Sequence, residues 1–131
     1  MDAAWEAAVT HGNVQTARTL LAQGTDVDSR DRYGQTALML AAHAGQREIV
    51  ELLIAHRANL NVTAKYGLSA LMLSIVAGHT EIATLLARAG TDQSLRGSGA
   101  PGFAGKTAYD LATERGMQEL SEVLMADQSR P

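Results

Sequence analysis

Apolar positions along the chain fall into short blocks that recur in one register. Between Asp31 and Asn61 the first block is Ala37, Leu38, Leu40 and Ala41, and Gly45 interrupts it; the second is Ile49, Val50, Leu52, Leu53 and Ile54, set among charged Arg47, Glu48 and Glu51. That spacing puts each block on one face of a short helix. Thr36 stands where a hydroxyl can accept from a first-turn N–H, and Gly45 stands where a helix turns left-handed and stops. Ala58 to Asn61 then leads through a polar reversal, Thr63 to Tyr66, to Gly67. The predicted unit is helix, turn, helix and hairpin-like finger.

Shifted by thirty-three positions, the unit lands on itself: Tyr33/Tyr66, Gly34/Gly67, Ala37/Ala70, Leu38/Leu71, Met39/Met72, Leu40/Leu73, Ala44/Ala77, Gly45/Gly78, Glu48/Glu81, Ile49/Ile82, Leu52/Leu85 and Leu53/Leu86 are identical. A period of this size signals a solenoid, whose units bury their apolar faces only by stacking. Four units are expected in an all-α domain spanning 1–126, at about 1–30, 31–63, 64–96 and 97–126. Helices are predicted near 2–11, 15–22, 36–44, 48–56, 69–77, 81–88, 107–115 and 118–126. The first unit lacks a finger, and the polar outer positions of the first and last units mark them as caps. Gly105-Lys106-Thr107 follows Gly67-Leu68-Ser69 by thirty-eight positions, so five residues are inserted near 97–104, and 127–131 reads as a flexible tail.

The segments Thr36-Ala37-Leu38-Met39, Ser69-Ala70-Leu71-Met72 and Thr107-Ala108-Tyr109-Asp110, with the glycine after the first helix and the leucine pair in the second, resemble the ankyrin repeat. The resemblance covers about residues 1 to 126 and implies an ankyrin-repeat solenoid of four stacked helix-turn-helix units. The Thr-Ala-Leu-Met form is a bacterial-like variant: the Pro and His of the family pattern are replaced every time. Met in the His position implies apolar packing where the family uses a hydroxyl–imidazole bond.

Composition narrows the function classes. Hydrophobic content of 46% with 4% aromatics implies a core of Ala, Leu, Ile, Val and Met. Formal charge is −3 with both signs spread along the chain, so no basic block points to nucleic acid or an anionic membrane. There is no cysteine, hence no thiolate nucleophile and no Cys-based zinc site. The start has no apolar core of a secretory signal and no run suits a membrane span, so a soluble, cytoplasmic monomer is expected.

Two strings invite a chemical reading. Gly97, Gly99 and Gly102 spell G-x-G-x-x-G, and Ala100 to Thr107 approaches a P-loop. Either would bind phosphate on backbone N–H groups, with Lys106 adding charge. Both need a buried strand leading in, and the polar residues Thr91 to Arg96 do not supply one. Small-molecule or nucleotide binding by the 97–107 loop is therefore the lesser alternative. His11, His43, His56 and His79 have no i, i+4 spacing and no triad partner, so neither a metal nor catalysis is expected, and no cofactor.

Surface remains. A solenoid of this kind presents fingers and first helices along a concave groove. By repeat phase, Arg30, Arg32, Tyr33, Gln35 and His43 face it from the second unit, Lys65, Tyr66, Leu68 and Val76 from the third, and Arg96 follows on the next finger. The expectation is a non-catalytic protein-interaction module whose aromatic and basic strip anchors a partner protein's acidic and apolar segment.

Overall fold

A computed structural model describes residues 1–128. They form eight α-helices: α1 (Ala3–His11), α2 (Val14–Ala22), α3 (Ala37–Ala44), α4 (Arg47–Ala55), α5 (Ala70–Val76), α6 (Thr80–Arg88), α7 (Ala108–Glu114) and α8 (Gln118–Gln128). First helices α1, α3, α5 and α7 pack in one row and second helices α2, α4, α6 and α8 in another, each unit touching only its neighbours along a row. This is the all-α repeat solenoid expected. Among the described residues the only β pairing is two isolated bridges, Arg30 with Thr36 and Gly97 with Ala104.

The hydroxyls placed before each apolar block do start the helices. Thr36, Ser69 and Thr107 accept from the N–H of Met39, Met72 and Asp110 at 3.3, 3.3 and 3.2 Å. Asp110 returns the favour by accepting from the Thr107 N–H, closing a capping box. Asp2 and Asn13 cap the first two helices in the same way. α8 runs to Gln128, so Asp127 and Gln128 are helical rather than tail: no Gly or Pro interrupts Ala126-Asp127-Gln128, and a helix continues until something stops it. Residues 129–131 of the expected tail lie outside the described residues.

Packing follows the repeat phase. Trp5, Leu38 and Leu71 are in register and all are buried, whereas Tyr109, next in phase, is half-buried because no described element stacks beyond α7 and α8. Met39 and Met72 are fully buried, giving the apolar packing expected of the Thr-Ala-Leu-Met variant. Leu53 and Leu86 have no exposed surface.

Polar ties between units also recur with the period. Gln46 Nε2 donates to the Thr10 carbonyl at 3.0 Å, and His79 Nε2, thirty-three positions on, donates to the His43 carbonyl at 3.1 Å. Each satisfies an orphan carbonyl at the end of the preceding unit's first helix. On the other side of the stack, Asp28 accepts from the Asn59 N–H at 2.8 Å, and Asn61 accepts from the Asp92 N–H at 2.7 Å. On the second-helix face, Arg47 bonds Glu51 at 3.0 Å and reaches Glu81 of the next unit at 2.7 Å. The Glu51 hydrogen bond first, then the charge of Glu81, raises the Arg47 pKa above the ordinary arginine value.

Candidate partner-binding surface

The fingers are short reversals whose shape follows from one residue each. In the first, the Asp31 carboxylate accepts from the N–H of Tyr33 at 2.8 Å and of Gln35 at 2.9 Å, while Gly34 takes the left-handed conformation. The backbone closes with the Asp31 N–H on the Gln35 carbonyl at 2.9 Å. Ala64 replaces Asp31 in the second finger and offers no such carboxylate. There the chain makes a 3₁₀ turn over Lys65–Gly67, with Tyr66 itself left-handed at φ 63°.

This local difference gives the two tyrosines different settings. Tyr33 is 62% exposed and the Arg32 guanidinium lies 4.9 Å from its ring centroid. Tyr66 is 37% exposed, with Lys65 Nζ 4.9 Å from its centroid on one side and the Phe103 ring 5.6 Å away, tilted by 39°. Each finger tip is thus an aromatic ring with a cation over it. A depression of about 430 Å³ opens next to the first, lined by Met1, Glu6, Asp31, Arg32 and Tyr33.

The other expected groove residues divide. Arg30 is exposed, and its carbonyl accepts from the Met1 ammonium at 3.0 Å. His43 is exposed in the last turn of α3, Gln35 is half-buried, and Val76, the last residue of α5, is half-buried against the core. Leu68 is a correction: it is only 4% exposed, so it serves the core and not a surface. Its extended backbone just before the Ser69 cap turns an apolar side chain into space that half-buried Gln35 leaves wetter in the unit before. Arg96 lies at the foot of the third finger, its guanidinium donating to the Gly105 carbonyl at 2.6 Å.

Phe103 belongs to this surface and the repeat phase misses it, because it lies in the insertion and has no counterpart in the other units. One signal was available: it is the chain's single phenylalanine, standing in a run of Gly, Ala, Pro and Ser.

The glycine loop does not present a phosphate cradle. The N–H groups of Gly97, Ser98, Ala100, Phe103, Ala104, Gly105 and Lys106 donate to carbonyls within the fingers, at 2.7 to 3.0 Å. A cradle needs several such groups convergent and unspent. Lys106 Nζ is 2.7 Å from a Glu114 carboxylate oxygen and stabilises α7 instead. Among the described residues no three His, Asp or Glu side chains cluster as metal ligands, and no helix is long and apolar enough to cross a membrane.

Comparison with known proteins bears on the fold. The family model for ankyrin repeats, in three copies, matches residues 5–97. A chain in the solved structure of the Bd0816 predatory endopeptidase from Bdellovibrio bacteriovorus in complex with immunity protein Bd3460 is similar in fold, with a TM-score of 0.85 and 24% identity. The match covers 96% of this chain and 64% of that one, so this chain spans less than two thirds of the length of its structural relative. At that identity the likeness establishes the fold alone. No curated protein sequence matches the chain.

Proposed function

The chain belongs to the ankyrin-repeat family, and from that premise we propose that it works without catalysis, as a protein-interaction module holding a segment of a partner protein along its fingers and first helices. The observation that carries this reading is the pair of exposed tyrosines on successive fingers, each under its own cation at 4.9 Å. Tyr and Arg are among the residue types that most often carry the binding energy of a protein interface. The proposed surface takes Arg30, Arg32, Gln35 and His43 with Tyr33 from the second unit, Lys65 and Val76 with Tyr66 from the third, and Arg96 from the next finger. The chain is acidic overall, so this local excess of cations selects a partner segment with an apolar anchor flanked by acids. The structural relative, solved in a complex of two proteins, supports a protein partner for this chain as well. The module acts as a monomer in the cytoplasm, with no cofactor, nucleic acid or membrane in its task.

Differential capture tests the proposal. Immobilised wild type, Tyr33→Ala, Tyr66→Ala, Arg47→Ala and Glu51→Ala proteins are exposed to native lysate and the retained proteins quantified by mass spectrometry. A species held by wild type and both second-helix variants, and lost from both tyrosine variants, is the expected result. Equal retention by the tyrosine variants and loss from Arg47→Ala or Glu51→Ala would move the partner surface to the opposite face.

A further inference from the structure

We infer that the inserted third finger is a specificity element that holds Tyr66 as a pre-formed anchor and selects partner segments with a carboxylate next to an apolar side chain. The inference rests on the finger surface being the partner surface and adds to it what the insertion does there.

The insertion is rich in Gly, Ala and Pro, yet it is a closed structure. Gly97 donates to the Lys106 carbonyl at 2.8 Å and its own carbonyl accepts from the Gly105 N–H at 2.9 Å, while Arg96 donates to the Gly105 carbonyl across the base. A Cβ on Gly97 would lie 2.3 Å from the Phe103 carbonyl oxygen, so the closure requires glycine there. The loop then reaches back over the second finger. The Ser98 N–H donates to the Tyr66 carbonyl at 2.7 Å, Phe103 sits against the Tyr66 ring, and the α-carbon side of Gly99 approaches the same ring so closely that a Cβ would be 3.3 Å from it.

Tyr66 needs such support. A bulky residue with φ of 63° sits in a conformation that L side chains disfavour, and it persists only where surroundings over-determine it. In the first finger only Gly34 is left-handed, whereas in the second Tyr66 is left-handed in addition to Gly67, the counterpart of Gly34, and Tyr33 stays 62% exposed. The insertion therefore leaves one aromatic anchor free and the other clamped, which lowers the ordering cost of binding at Tyr66.

Charge decides what the clamped anchor accepts. Lys65 lies over Tyr66, Arg96 stands at the base of the loop, and from Gly97 to Thr107 the chain carries no acidic residue. The acid of the first finger, Asp31, is committed to the backbone of its own turn, and Asp110, just after the loop, to the Thr107 N–H. The Tyr66–Phe103 pair offers an apolar face and Lys65 the counter-charge, so the fitting ligand is a peptide with Asp or Glu beside an aliphatic or aromatic residue.

Peptide display with random dodecapeptides tests this on the full chain. Selection on wild type should enrich Asp or Glu adjacent to an apolar residue. The selected peptide should bind Phe103→Ala, and a variant lacking residues 98–102, at least ten-fold more weakly, while Phe103→Leu, which keeps the bulk and guards against a misfolded alanine variant, should lose binding in part. Lys65→Ala should abolish the acidic preference. Wild-type affinity in the Phe103→Ala and deletion variants together would overturn the role of the insertion while leaving the finger surface standing. Binders without acidic enrichment, or no binders, would overturn the ligand class. Binders insensitive to Tyr33→Ala and Tyr66→Ala and lost with Glu51→Ala would instead refute the finger surface itself.

Discussion

Leu53 and Leu86 stand one period apart, each fully buried between units that pack on both sides. Truncation of either to Ala removes apolar contact and leaves a cavity, so urea unfolding should show a loss of about 2–5 kcal/mol at each site. A finer test separates two glycines in the same phase. Gly45 and Gly78 both have φ near +80°, so alanine at either meets the left-handed penalty of about 1–2 kcal/mol. At Gly45 the new Cβ would also come 2.7 Å from the His79 ring and displace the hydrogen bond that His79 gives to His43, whereas at Gly78 it meets nothing within 4 Å. Gly45→Ala should therefore cost about 1 kcal/mol more than Gly78→Ala in the same melts. Burial of the leucines and methionines was legible from periodicity. The burial of Leu68 was not legible, because its phase places it at the edge of a finger, where its counterpart Gln35 is half-buried.

At the scale of elements, helix starts and stops were legible because their signals are local: a hydroxyl, three residues of spacing, a glycine. The ties between units were not. Asp28 and Asn61 look like ordinary polar loop residues, and only the stack shows that each accepts from an amide thirty-one positions away. The same loops carry a pH effect whose sign is determined. Ser94, through its hydroxyl first and its N–H second, lowers the Asp92 pKa, so the stability it adds is present above the unfolded carboxylate's pKa and is lost as pH falls through the lower folded value. Asn59 fills the same position one unit earlier and bonds the Asn61 N–H, so Asp92→Asn should fold normally and flatten the acid limb of a melting-temperature profile. A steeper acid limb in the variant would contradict this. The third finger is the element whose sequence suggested chemistry it does not support. With its amides and Lys106 engaged, millimolar ATP or GTP with magnesium should leave the melting temperature unmoved in thermal scans, and a rise abolished by Lys106→Ala would reinstate nucleotide binding.

At the scale of the molecule, a row of first helices and a row of second helices make two long faces with different chemistry. The second-helix face carries paired charges, Arg47 with Glu51 and Glu81. The finger side carries two exposed aromatic rings under cations. Repeat phase made the architecture and both tyrosines legible. It could not show Phe103, since an insertion has no phase, nor that Arg96 braces the loop. Hydrogen–deuterium exchange on the protein with and without its captured partner tests the central claim most directly, because it reports which face becomes protected. Protection on binding should concentrate in residues 31–35, 64–68 and 96–106, with α2, α4 and α6 unchanged. Protection confined to those three second helices, with the fingers exchanging as in the free protein, would contradict the account.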